Sequence, residues 1–313
     1  MSSILIGPGY LTWNSGTFRA ASDIVAEFKK DLRDIESLEF GKIDSVQTAR
    51  MIVVKCRLFS TWTNLSLLFP SAALSPAIGT ALYGASNLAL IVNGADGSKL
   101  TVVNAQVTKL ANLFLGVSKD IFPADVEFTG LLLNGGSPGT SGDYYTYQVG
   151  QSYSAPAFPN TSFTAPVISA AWAGTLVNSG TSFAAFYFKE GATIDWEYEL
   201  DFKPCTVDGF GATDAIIKNF RATCKGIPTF GPLEADTASA LFPAQALGLS
   251  ENQNGAGDLT LTWSGHSVVL HKAFVKASDG FKWSTTNNRL GNLTWQTTVP
   301  FSTGVAQARV TVS

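Results

Sequence analysis

Two histidines, His266 and His271, and three cysteines, Cys56, Cys205 and Cys224, are all that 313 residues offer of the side chains most used for metal and nucleophile chemistry. On a strand the odd spacing of the histidines sends them to opposite faces, away from a shared ion. The cysteines form neither an even framework nor a C-x-x-C pair. The start MSSILIGPGYLTW has no charged opening and no long apolar core, so a reducing compartment is expected. The Asn-x-Ser/Thr matches at Asn64, Asn160 and Asn292 are then chance, and Cys56 and Cys224 read as small apolar packing groups within strands.

Other absences narrow the function further. No P-loop and no G-x-G-x-x-G opens a helix. GGSPG at 135–139 has the letters of a nucleophile elbow, but Pro138 follows its serine and no helix does, so it reads as a turn. An enzyme is not expected, and neither is a cofactor or a metal. No apolar run reaches about 18 residues, so no membrane-spanning helix is expected. A net charge of −3 argues against stable DNA binding, which needs a cationic surface to displace counterions. Charged residues are only 14% against 45% apolar, so part of the surface is expected to lie under partner subunits.

What the sequence does contain is a phrase written twice. FGKIDSVQTARMIVVKC at 40–56 returns as FGATDAIIKNFRATCK at 210–225. Sliding the chain by 170 residues brings Ile24 onto Ile194, Glu27 onto Glu197, Phe28 onto Tyr198, Asp31 onto Asp201 and Lys55 onto Lys225. NSGT at 14–17 recurs at 178–181, LLFP at 67–70 answers ALFP at 240–243, and LALIVNG at 88–94 answers LTLTWSG at 259–265. Five blocks in one order indicate an internal duplication. Residues 134–166, rich in Gly, Ser, Pro and Thr, read as the linker between the copies. Their Tyr and Phe residues predict that they pack onto something.

Each copy reads as β structure. In ATIDWEYELDF (192–202), Ile194, Trp196, Tyr198, Leu200 and Phe202 take one face, and Asp195, Glu197, Glu199 and Asp201 the other. Such strict alternation predicts a long strand with one buried side. The first copy presents Val25, Glu27, Lys29, Asp31 and Arg33 on the matching face, a mixed pattern. A second strand after each Phe-Gly block predicts long hairpins at 22–58 and 192–228. Asp44 and Asp214 are expected to cap turns. STWTNLSLLFP (60–70) and PLEADTASALFP (232–243) each predict one short helix stopped by proline. The four carboxylates of 195–201 read either as a solvated face or as a wall that keeps passing phosphates from sticking.

Three stretches together resemble the tail tube (major tail) proteins of long-tailed bacteriophages: GPGYLTWNSGTFRAASDI, SLEFGKIDSVQTARMIVVKC and STWTNLSLLFP, all within the first 100 residues. Ser22 stands where the family pattern has glycine, and the second copy keeps only Phe-Gly-x-x-Asp and Leu-Phe-Pro. The resemblance implies a mainly β chain with two tandem β-sandwich or half-barrel tail-tube-like domains, at 1–133 and 167–313, each with one short α-helix and a long β-hairpin. It implies self-association into stacked rings, three chains supplying six tube domains, around a channel for double-stranded DNA. The implied setting is the virion tail, assembled in the host cytoplasm with a tape-measure protein and tail terminator or tip proteins, with no membrane partner. On this reading Glu27, Lys29, Asp31, Asp195, Glu197, Glu199 and Asp201 line the channel. Two other classes stay open. One is a β-sandwich carbohydrate-binding or adhesin module, from Trp172, Trp196, Trp263, Trp283 and Trp295. The other is a different virion component, such as a tail terminator or a capsid decoration protein.

Overall fold

The computed structural model describes residues 2–6, 9–68, 79, 81–83, 87–117, 120–133, 136–137, 140–156, 165–174, 183–204, 212–229, 256–278, 281–282, 289–290, 292–297, 301–302, 305–306 and 310–313. The chain is mainly β, in antiparallel sheets. The first half carries β1 (Ser2–Ile6), β2 (Gly9–Trp13), β3 (Gly16–Ala20), β4 (Ile24–Ser37), β5 (Gly41–Ser60), the helix α1 (Trp62–Leu65), β6 (Leu90–Gly94), β7 (Lys99–Val102), β8 (Ala105–Leu115) and β9 (Phe122–Gly130). β10 (Tyr145–Gln148) follows, then β11 (Ile168–Trp172), β12 (Phe183–Pro204), β13 (Ala212–Thr229), β14 (Gly257–Trp263) and β15 (His266–Ser278). The end of the chain adds β16 (Phe281–Lys282), β17 (Arg289–Leu290), β18 (Leu293–Thr297), β19 (Phe301–Ser302), β20 (Val305–Ala306) and β21 (Val310–Val312).

The predicted hairpins are present. β4 pairs with β5 from Val25 opposite Lys55 to Ser37 opposite Gly41. β12 pairs with β13 from Tyr187 opposite Thr229 to Pro204 opposite Ala212. Tight turns close two shorter hairpins. Asn14 and Ser15 join β2 to β3, and Ser264 and Gly265 join β14 to β15, each with positive φ, the geometry that matches strand twist across a two-residue loop. The second NSGT lies outside the described residues.

The helix expected over 60–70 is shorter than predicted. A single α-turn at Trp62–Leu65 runs on as a 3₁₀ turn at Ser66–Leu68. Thr61 makes no side-chain cap and the first turn holds no acidic residue, so little local energy favours helix here. Burial of Trp62, Leu65 and Leu68 on one side holds the turn in place. The helix expected at 232–243 lies outside the described residues, as do Cys205 and the second Phe-Gly pair.

The described part of 134–166 is held down, as its aromatic content predicts. β10 pairs with β7, Tyr144 is buried, the Gln151 N–H donates to the Gly97 carbonyl at 2.9 Å, and the Tyr153 ring lies 5.7 Å from Tyr10. The aspartates behave differently from simple turn caps. The Asp44 carboxylate accepts from the next backbone N–H, that of Ser45, at 2.7 Å. Asp214 accepts from the N–H groups of Ala215 and, far away in sequence, Tyr83.

One apolar core runs through both halves. It includes Trp13, Phe18, Phe122 and Phe128 together with Trp196, Trp263 and Trp295. Trp62 meets Trp263 edge to face with ring centres 4.7 Å apart, a geometry favoured by the aromatic quadrupole.

Candidate functional site

The feature that organises the molecule is an eight-stranded antiparallel run, β4–β5–β9–β8–β12–β13–β18–β15. Its first four strands come from residues before 131 and its last four from residues after 182. The seam between them is β8 against β12, with Leu115 opposite Ala192, Leu113 opposite Ile194, Leu110 opposite Trp196 and Lys109 opposite Glu197.

Strand alternation gives this run two chemically distinct faces. Ala26, Val54, Val126, Leu110, Ile194, Trp196, Ala222 and Trp295 go into the core. The other face carries the charges. Glu27 and Glu197 lie there on β4 and β12, with Lys55 and Arg57 on β5, Asp125 and Glu127 on β9, and Lys109 on β8.

These charges are interleaved by sign. The Lys55 ammonium donates to both Glu27 oxygens at 3.0 and 2.9 Å. Lys109 stands 3.4 Å from Glu197, Lys218 3.5 Å from Asp201, and Arg57 3.6 Å from Asp125. Glu127 lies opposite both Lys55 and Lys109. The Asp195 carboxylate accepts from the Asn112 backbone N–H at 2.6 Å, and the Asn112 side chain donates to Asp125 at 2.7 Å. Asn112 reaches both from a left-handed backbone: at φ 52° it forms a kink within β8, where the register with β12 shifts between Ile194 and Trp196, the local bend expected of a bulge.

The sequence-predicted site residues therefore divide. Glu27, Asp195, Glu197 and Asp201 sit on the polar side with cationic or N–H partners. Glu199 is exposed opposite Asn219, and Lys29 lies opposite Met51. The side chain of Asp31 lies outside the described residues; its backbone pairs with Ala49. The strand 195–201 is thus less of an acidic wall than its sequence implies, because β8 and β13 bring Lys109 and Lys218 to it from elsewhere. Lys55, Arg57, Lys109, Lys218, Asp125 and Glu127 are among the members of this face that the sequence reading missed. Their alternation on β5, β8, β9 and β13 was the available signal.

A second contact joins the halves beside the hairpin β12–β13. The N–H groups of Gly79 and Leu82 donate to the carbonyls of Ile217 and Ala215, and Leu132 donates to Ala212. Tyr83 is buried there, its hydroxyl donating to the Thr129 carbonyl at 2.6 Å. Burial pushes the Tyr83 phenol well up, and the nearby Asp214 carboxylate adds to it.

The described cysteines and histidines are engaged in packing or in hydrogen bonds. Burial pushes the thiols of Cys56 and Cys224 up, with Asp125 and Asp195 respectively adding to it, so both stay protonated and poorly nucleophilic. His271 bridges Asp258 and Thr311 at 3.0 and 2.6 Å, while His266 lies beside the rings of Trp62 and Trp263. Trp172, Trp196, Trp263 and Trp295 are all buried and offer no exposed stacking platform; Trp283 lies outside the described residues. Compared with models of protein families and with curated proteins, the sequence matches none.

Proposed function

We propose that this chain is a structural subunit of a virion tail tube, with two tandem tube domains that supply neighbouring staves of one barrel. The observation that carries this reading is the β8–β12 seam. Residues 24–130 and 183–297 each contribute a long hairpin plus two more strands, and the two four-stranded sheets join edge to edge in antiparallel register. Adding further copies at the two ends of this run would close a barrel and remove free edges.

The correspondence of the halves supports the same reading. Ala26 pairs with Val54 as Trp196 pairs with Ala222. With β4 laid on β12 at a shift of 170, the partner strands match two residues short of that shift. Cys56 then takes the place of Cys224, and Lys55 that of Thr223 rather than Lys225. β1 aside, β2, β3, β6 and β9 find counterparts in β11, the start of β12, β14 and β18 by the same pairing logic.

In a ring of three chains the polar face would line the channel. Its interleaved charges would present no continuous basic track, so DNA would pass without being held. Rings would stack into a tube in the virion tail, around a tape-measure protein and against terminator or tip proteins. Electron microscopy of the purified protein tests this: hollow tubes or stacked rings with three chains per ring are expected. Six chains per ring by mass would remove the paired-stave arrangement. Single closed rings that never stack would favour a terminator. The buried indoles weigh against the carbohydrate-binding class, for which a monomer retained on immobilised glycans is the expected result.

A further inference from the structure

The N-terminal strand β1 occupies a place that the other half of the molecule assigns to a different strand. β1 pairs with the outer edge of β4, with Ile4 opposite Ala26 and Ser3 opposite Glu27. Ala26 and Glu27 correspond to Trp196 and Glu197, and on β12 those residues face Leu110 and Lys109 of β8. So β1 sits on the first hairpin where a whole four-stranded sheet sits on the second.

The strand that should take that seat can be identified by register. Leu110 and Lys109 lie opposite Val126 and Glu127 on β9, and Val126 lies opposite Cys56. In the second half Cys224 lies opposite Trp295, and Trp295 and Gln296 lie opposite Val275 and Phe274 on β15. Val275 and Phe274 are therefore the counterparts of Leu110 and Lys109. Among the described residues, Phe274–Ser278 pairs with β18 on one side and with no strand on the other. Val275 turns its side chain to the core, as Leu110 does.

We propose that β1 is a removable cap on the assembly edge, and that a second copy of this chain displaces it by seating Phe274 and Val275 of β15 opposite Glu27 and Ala26. The proposal rests on the tube reading and specifies its chain-to-chain junction. The capped edge keeps isolated chains from pairing through β4, an edge strand that would otherwise template association. A tethered strand competes as an intramolecular ligand, so its removal should favour association without adding a contact.

The test mixes two chains, one carrying Glu27→Cys and the other Phe274→Cys, both with Cys205→Ser, under mild oxidation. Disulfide-linked pairs between the two variants are expected, since antiparallel partners bring Cβ atoms within reach of each other. Deleting Ser2–Ile6 should lower the concentration needed for cross-linking by about tenfold or more. Absence of cross-linking both with and without Ser2–Ile6 overturns the proposal. So does cross-linking that the deletion leaves unchanged, because β1 is then no cap. Tubes seen by microscopy without this cross-link would refute the junction and leave the tube reading standing. Cross-linked closed rings that never stack would do the reverse.

Discussion

The Lys109 ammonium stands 3.4 Å from the Glu197 carboxylate, joining two strands whose residues are far apart in sequence at the seam where β8 meets β12. Both groups are roughly half exposed, so the attraction is small, about 0–1 kcal/mol. Its value lies in register, since like charges directly opposite would disfavour this pairing. Glu197→Lys is expected to lower stability by about 1 kcal/mol at low salt, with the loss shrinking as salt rises. Thermal unfolding at two ionic strengths reads it.

Gly191 marks the same seam from the backbone. Its φ is +89°, and a Cβ there would fall 2.3 Å from the Leu115 carbonyl oxygen and 3.1 Å from the Gly116 Cα. Gly41, at the tip of the first hairpin, has φ +67° and open space around it. Gly41→Ala is therefore expected to cost only the left-handed strain, about 1–2 kcal/mol. Gly191→Ala should cost clearly more, because β8 and β12 must separate. Urea midpoints of the two variants compare them directly.

Trp263 is buried against Trp62 and Phe122, its ring 4.7 and 6.1 Å from theirs. Truncation opens a cavity between residues of the two halves, so Trp263→Ala is expected to cost about 3–5 kcal/mol. Because the halves share that core, unfolding should remain a single transition at a lower midpoint, which circular dichroism and tryptophan fluorescence would report together.

The buried thiols set a pH limit at the alkaline end. An unfolded cysteine ionises near 9.0, whereas burial keeps Cys56 and Cys224 protonated in the folded chain. A raised folded value means that this stability is complete below the ordinary thiol range and declines as pH rises through it. The slope approaches about 1.4 kcal/mol per thiol for each pH unit. In a Cys205→Ser background, neither thiol should react with a disulfide reagent at pH 8 until the chain unfolds.

The tip of the first hairpin exposes apolar side chains among its charged ones. Leu38 is fully exposed, Phe40 is 80% exposed, and Leu32 and Ile43 are more than half exposed. Such a cluster is a usual mark of a partner surface. On the proposed tube reading, Leu38→Asp together with Phe40→Asp is expected to leave the unfolding midpoint of the isolated chain unchanged while removing the tubes that reading expects by microscopy.

Much of the fold was legible residue by residue. The alternation from Ile194 to Phe202 specified β12 and its two faces, because period-two burial admits no other regular structure. The hairpins followed from the repeated Phe-Gly blocks, and the Tyr residues of 134–166 correctly indicated packing. The helix at 60–70 was overestimated because its apolar spacing reflects burial of Trp62, Leu65 and Leu68, which one turn and a half already achieves. The cations beside 195–201 were not legible on that strand, because Lys109 and Lys218 reach it from β8 and β13.

Composition and periodicity by themselves determined that this chain is mainly β, with long two-faced hairpins. Those properties come from side chains a few residues apart along one strand. Only the tertiary structure decided which edges meet. The β8–β12 seam and the seat of β1 on β4 join backbone groups that carry no side-chain label, and the Asn112 kink that serves Asp195 and Asp125 depends on that seam. A strand edge offers the same N–H and C=O groups whatever its sequence, so the choice of partner is made by the packed core and the connections around it.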